Sequence, residues 1–292
     1  MFGGNILDEM QSFRRNAGAG QDISDCLYLK QGLIIIARSR YVIVQMEEYH
    51  IDINCDVGEG VADENLLYPH ISSCNIACGG HTGTIDSIKA SVANALRYGV
   101  KIGAHPSYPD RVNFGRTSMV ISDTALAESI LSQLERMDYV LNLHGENLHH
   151  IKPHGALYND LAKDAELSRS FLDILREYRS RCSLYVLSGS LLEEEAIRQG
   201  YRIKREAFAD RNYNRDLSLV PRTVPNAIIR KPEVVLRHLI SMVKSQKVKT
   251  LQGKVLDIYA DTYCIHGDTP NSLQILAYLS KELPKQNIYI RS

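Results

Sequence analysis

His50-Ile51-Asp52-Ile53-Asn54-Cys55-Asp56-Val57-Gly58-Glu59-Gly60 carries the first regular pattern in the chain. Its opening residues alternate apolar and polar with the period of two expected of a β-strand. The strand then runs into carboxylates and glycines, so a titratable cluster stands where it finishes. The same succession recurs. A second strand leads to Asn75-Ile76-Ala77-Cys78-Gly79-Gly80-His81, and a third, from Val100, to Gly103-Ala104-His105-Pro106-Ser107. The fourth ends in Lys152-Pro153-His154-Gly155, the sixth in Glu206-Ala207-Phe208-Ala209-Asp210-Arg211 and the seventh in Cys264-Ile265-His266-Gly267-Asp268.

Between strands the period becomes helical. Ile85, Ile88, Val92 and Leu96 recur at spacings of three and four before Gly99, which predicts a helix over 84–98 with a glycine stop. Ser122 is placed to cap a helix presenting Leu126, Ile130 and Leu134, and Leu167, Phe171, Ile174, Leu175 and Tyr178 mark another. Further helices are expected near 191–199, 233–246 and 270–282, and strands near 150–154, 184–188, 201–206, 255–264 and 287–290. Strand-then-helix repetition predicts a parallel sheet, either an α/β barrel or an open doubly wound sheet. In a barrel the strand ends form a single face, and that face holds the active site.

The chain has 292 residues, 44% apolar and 23% charged, which suits one large domain with a buried core. Lys plus Arg equals Asp plus Glu at 34 each, so no net field favours nucleic acid or an acidic membrane, and a small substrate fits better. The cysteines (Cys26, Cys55, Cys74, Cys78, Cys182 and Cys264) are too sparse for a disulfide scaffold. No signal-type apolar core opens the chain, and the longest apolar stretch is broken by Arg38 and Arg40, short of the roughly 20 residues that span a bilayer. A cytoplasmic location is expected. Residues 1–47 hold no motif with attached chemistry. They read as an N-terminal extension, poorly ordered or the product of an over-extended gene model with a natural start at Met46, and 48–292 as a single catalytic domain.

One histidine beside a glycine is usually structural, yet His81, His105, His154 and His266 all fall at strand ends. Asp56 and Glu59 either cap the next segment or, three apart in a glycine-flanked loop, serve acid/base work or a cation. Cys74-x3-Cys78-x2-His81 lacks the second cysteine pair of a zinc site, so these read as core cysteines. Gly58, Gly60, Gly79, Gly80 and Gly83 let backbone approach a ligand, and loop arginines Arg116, Arg211 and Arg222 can grip a carboxylate. There is no Walker-type lysine loop.

In order, Asp52 to Gly60, Cys74 to Gly83, Gly103 to Asp110, Asn113-Phe114-Gly115-Arg116, Lys152 to Asn159, Glu206 with Phe208 to Arg211, Leu219 to Arg222 and His266-Gly267-Asp268 resemble the LamB/YcsF family. The likeness runs over about 50–290. Gly80 and Thr82 depart from it, standing where the family usually carries a bulky aromatic and an alanine.

The resemblance implies a seven- or eight-stranded, TIM-like β/α barrel related to glycoside hydrolase and deacetylase barrels. It implies the role of the A subunit of an ATP-dependent 5-oxoprolinase, working with subunits B and C to convert 5-oxoproline to glutamate. On that reading Asp56, Glu59, His81, His105, Lys152 and His154 are expected to be catalytic. Asp56 or His154 would activate water, His81 and His105 would orient or donate, and Lys152 would stabilise negative charge. Asn54, Arg116, Asp210, Arg211, Arg222, His266 and Asp268 are expected to bind substrate. ATP is a co-substrate held mainly by the partners, and a divalent metal would take Asp56, His81 and His154, the ligand set of related deacetylase barrels. Two rivals share these residues: a stand-alone metal-dependent deacetylase or amidohydrolase, and a non-catalytic scaffold for the B and C proteins.

Overall fold

The structure is a computed structural model. It describes residues 47–291 and, before them, the backbone of three short strands. Those strands, β1 (Leu27–Leu29), β2 (Gly32–Ala37) and β3 (Arg40–Val44), pair antiparallel in order and belong to a unit ending at Glu48. The remaining expectations about residues 1–47 lie outside the described residues. The second unit, Tyr49–Ser292, holds everything that follows.

β4 (Tyr49–Val57) has the alternation read from sequence, but every residue from Ile51 to Val57 is buried. Ile51, Ile53, Cys55 and Val57 join the apolar core, while Asp52, Asn54 and Asp56 bond to other strands across the barrel interior. Six parallel strands complete the ring: β5 (Ser73–Ala77), β6 (Lys101–His105), β7 (His150–Ile151), β8 (Ser183–Leu187), β9 (Ile203–Phe208) and β12 (Thr262–Cys264). β12 pairs with both β9 and β4, so the seven-stranded sheet closes on itself. The open-sheet alternative is excluded. β13 (Ile288–Ile290) pairs parallel with the first half of β4, below the stretch where β12 takes over.

Helices form where the periodicity placed them, and one more, Gly155–Leu161, forms where none was expected. α1 (Ile85–Tyr98) starts with a reciprocal cap, Ser87 N–H donating to Thr84 Oγ1 at 3.1 Å and Thr84 N–H to Ser87 Oγ at 2.8 Å. It stops at Gly99, whose φ of +67° most side chains would resist. α2 (Asp123–Leu143) is capped by Ser122. Then come α3 (Gly155–Leu161), α4 (Ala165–Ile174), α5 (Leu191–Arg198), α6 (Pro232–Ser245) and α7 (Ser272–Glu282). Their fully buried residues, among them Ile88, Leu134, Phe171, Leu239 and Leu276, share one core with the outward row of the strands. Each such side chain contributes about 1.5–3 kcal/mol relative to exposure.

Two expectations are corrected. The single strand near 255–264 is two: β11 (Val255–Asp257) pairs antiparallel with β10 (Lys247–Lys249), and only β12 belongs to the barrel. The chain changes partner between them, Ile258 N–H going to Gln246 and Asp261 N–H to Arg205. Leu175 and Tyr178 lie beyond α4, which ends at Ile174 before a short 3-10 turn over Arg176–Tyr178. Among the described residues no helix is long and apolar enough to cross a membrane.

Gly103 shows how tightly the interior is filled. A Cβ there would lie 2.2 Å from His150 Nε2, so the glycine is what lets that imidazole cross the barrel. Gly103→Ala is expected to lower stability by about 1–3 kcal/mol, through overpacking, in chemical denaturation. A midpoint equal to wild type would mean that the ring relaxes freely.

Candidate active site

Lys152 follows β7 and is almost wholly buried, an unusual place for an ammonium group. Its Nζ lies 3.0 Å from Asp56 Oδ1 and 2.9 Å from Glu206 Oε1, and it also donates to Asn54 Oδ1 at 3.2 Å and Cys264 Sγ at 3.1 Å. Burial alone would strip the proton from Lys152. The negative charge of Asp56, with Glu206 behind it, outweighs that and holds its pKa well above the usual lysine range. Burial likewise pushes Asp56 up, but His105 and Lys152 more than offset it and keep the carboxyl well below its ordinary range. A buried, ionised Lys–Asp pair results. Glu206 is held from its other side by Tyr158, whose hydroxyl donates to Oε2 at 2.7 Å.

The histidines form a chain beside this pair. His105 Nδ1 faces the Lys152 carbonyl at 2.7 Å and His154 Nε2 faces the Phe114 carbonyl at 2.9 Å. A carbonyl only accepts, so both of these ring nitrogens carry hydrogen. Their other nitrogens, His105 Nε2 and His154 Nδ1, meet at 2.9 Å. Two neutral rings would set lone pair against lone pair there, so the contact requires one shared proton or a cation in its place. Phe114 aims its carbonyl from a left-handed backbone (φ +56°), a conformation disfavoured for a bulky residue and followed by Gly115 at φ +63°.

His81 stacks flat on His154, with ring centroids 3.6 Å apart. Ser107 Oγ gives its hydrogen to the Tyr108 carbonyl, so His81 Nδ1 donates to it at 3.0 Å, and His81 Nε2 meets Glu59 Oε1 at 3.0 Å. Burial and the neighbouring His105 push His81 down to about 3, while burial with the charges of Asp56 and Asp268 pushes Glu59 well up. Both facts place the proton of this contact on Glu59. The space beside Gly80 is filled by Ser107 and Gln133, 2.3 and 2.5 Å from where a Cβ would stand, which accounts for the absence of an aromatic there.

A cavity of about 490 Å³ opens over these groups, lined by Asp56, His105, Lys152, His154, Phe208 and His266 below and by Arg116, Arg211 and Arg222 toward the rim. Arg116 and Arg222 both bind Asp268, Arg222 with contacts of 3.1 and 3.3 Å. Arg211 is buried and donates to the Val220 carbonyl at 2.6 Å, leaving its Nε without a partner. Asp210 is fully buried and turned to His266 (3.0 Å) and Thr269 (2.5 Å), and it does not line the cavity.

Asp56, Glu59, His105 and His154 offer ligand atoms that all lie within 4.8 Å of one another, and Asp56, Cys264 and His266 form a second such group. The expected triplet Asp56, His81 and His154 is not one of them. In the four-residue group His105 and Glu59 accompany Asp56 and His154, and His81 is not a member. The four-residue group fits a divalent cation in donor type, and the carbonyls behind His105 and His154 match the usual second support of metal-bound imidazoles.

Glu206, Asn75, Tyr158 and Cys264 fall within the strand-end and family stretches of the sequence, but none of them is given a role there. Glu206 closes the charged run Lys204-Arg205-Glu206 of β9, so its charge alone did not set it apart from its neighbours. Nothing local marks the others.

The fold and site thus define a parallel β/α barrel with a buried acid/base cluster at the C-terminal ends of its strands. The chain belongs to the LamB/YcsF family, whose profile matches residues 51–292. It is similar to the 5-oxoprolinase A subunit of Acinetobacter baumannii (strain ACICU), 39% identical over 246 residues that cover 82% of this chain and 97% of that protein. Among solved structures it is similar to the lactam utilization protein of Thermus thermophilus, with a TM-score of 0.76 and 36% identity over 83% of this chain and 99% of that one.

Lys152→Met removes the cation between two buried carboxylates. It is expected to cost about 3–5 kcal/mol of stability, read as a lower denaturation midpoint. A midpoint within experimental error of wild type would show that Asp56 and Glu206 are not charged together.

Proposed function

We propose that the chain is the A subunit of an ATP-dependent 5-oxoprolinase, which opens the lactam of 5-oxo-L-proline to L-glutamate in a cytoplasmic complex with subunits B and C. Residues 1–47 stand outside this catalytic unit, as an extension preceding it. The observation that carries the reading is the ionised Lys152–Asp56 pair under the cavity, joined through His105 to a histidine pair that needs a proton between its rings. The names of the relatives, a 5-oxoprolinase A subunit and a lactam utilization protein, support the substrate class.

A five-membered lactam is a resonance-stabilised amide, and opening it requires charge to develop on the carbonyl oxygen and a proton to reach the ring nitrogen. Lys152 faces the cavity as a fixed positive donor for that oxygen. Asp56, held ionised, accepts the proton of the attacking water. The proton shared by His105 and His154 is delivered to the nitrogen as it leaves, and Glu59, protonated against His81, stands behind them. The substrate carboxylate takes the place of Asp268 on Arg116 and Arg222, a bidentate grip that sets the ring over Lys152. Asp210 acts through His266, and Arg211 braces the 220 loop. The sequence carries no Walker-type lysine loop, which supports ATP being held mainly by the B and C subunits. If a divalent ion takes part, Asp56, Glu59, His105 and His154 hold it, and it would polarise the carbonyl or a water molecule.

The test is glutamate release from 5-oxoproline by the chain with subunits B and C and ATP, with each omitted in turn. Release only from the full mixture is expected. Release without ATP or partners would favour a stand-alone amidohydrolase. Asp56→Asn is expected to lower turnover about 10²–10⁴-fold, whereas a scaffold would keep full activity. For the ion, the chelator-stripped chain re-equilibrated with Zn²⁺ is expected to take up one ion per chain, His105→Gln none, and His81→Gln one at reduced affinity. Uptake lost in His81→Gln but kept in His105→Gln would restore the triplet expected from the sequence.

A further inference from the structure

His150 lies inside the barrel below the cavity, fully buried and touching none of the space a substrate would fill. The mechanism above does not use it. Its Nε2 meets Asn75 Oδ1 at 2.7 Å. The Asn75 amide sends its hydrogens to Asn54 Oδ1 and Asp56 Oδ1, each at 2.8 Å. Its oxygen therefore needs a donor, and His150 Nε2–H is that donor. The other ring nitrogen, Nδ1, faces His149 Nδ1 at 3.0 Å and is left to accept. Tyr185 stacks on the ring, with centroids 3.8 Å apart, and the missing side chain at Gly103 leaves room for it.

We propose that His150 is a positioning residue for the reaction: by fixing which way the Asn75 amide faces, it aims Asp56 at the cavity and holds Asn54 against Lys152. The physical reason lies in the asymmetry of an amide. Turned over, Asn75 would point its oxygen at Asp56 Oδ1 and Asn54 Oδ1, both acceptors, and drive the carboxylate from the Lys152 ammonium. Only a donor on the far side of Asn75 makes the observed orientation the single satisfied one. His150 supplies it as a neutral ring, since burial, then the neighbouring His149, keeps its pKa well below the ordinary histidine value. The ladder continues downward as Asn54 Nδ2 donates to Thr262 Oγ1 at 2.8 Å and Thr262 Oγ1 to Asp52 at 2.7 Å, so the base is anchored from inside the barrel as well as at its mouth.

This inference rests on the catalytic reading of Asp56, and a double-mutant cycle in the reconstituted complex tests it. His150→Phe keeps the stack on Tyr185 and removes the donor. It is expected to lower kcat about 10- to 100-fold with KM within twofold, while His150→Gln, which can still donate, recovers most of the rate. In an Asn75→Ala background His150→Phe should have no further effect, because its target is gone. A purely structural role would instead give multiplicative losses and no rescue by Gln, and that result overturns the proposal. The isolated chain supplies an arm independent of turnover, the NMR signals of the Asn75 side-chain amide. They should shift and exchange faster in His150→Phe and return toward wild type in His150→Gln. Unchanged Asn75 signals would overturn the proposal even if the complex released no glutamate, a result that by itself would sink only the activity reading.

Discussion

The ammonium of Lys152, held almost wholly buried between Asp56 and Glu206, is the interaction on which the rest of this structure depends. An isolated charge in such a place would give up its proton or unfold the protein. Two carboxylates, an amide and a thiol around one lysine make the charged state the stable one. Breaking the arrangement from either side leaves a charge uncompensated, which binds β4, β9, β12 and the end of β7 to one another by chemistry as well as by backbone ladders.

That constraint explains why the barrel interior is polar. Inward positions of β4 carry Asp52, Asn54 and Asp56, and those of β5 carry Ser73 and Asn75. Each finds a partner across the ring. The apolar core lies instead between the strands' outward row and the helices. Polar residues thus specify where the strands face each other, and the hydrophobic layer supplies stability.

The cluster also divides the work of the mouth. Lys152 and Asp56 hold separated charges, His105 and His154 meet at 2.9 Å with a proton or a cation required between them, and Arg116 and Arg222 are both paired with Asp268. Arginine rim, histidine layer and the Lys152–Asp56 floor line one cavity of about 490 Å³. On the proposed reading, an anionic amide entering there would meet the arginines, the histidines and the Lys152–Asp56 pair in turn.

Much of this was legible in the chain itself. Period-two alternation in β4, the Thr84–Gly99 boundaries of α1 and the Ser122 cap are local events, decided by residues within a few positions of each other. Strand ends rich in histidine and acid follow from the same periodicity, so Asp56, His105, Lys152 and His154 could be named. Only the tertiary structure decided which of these touch. Glu206 becomes the partner of Lys152 through the register of β9, and Asn75 comes to support Asp56 through that of β5. His105 comes to lie beside Asp56, Nε2 3.5 Å from Oδ2, while His81 turns to Ser107 and Glu59. Periodicity is a property of neighbours in sequence. Barrel closure, strand register and hydrogen-bond counting are properties of groups that the chain brings together from positions far apart.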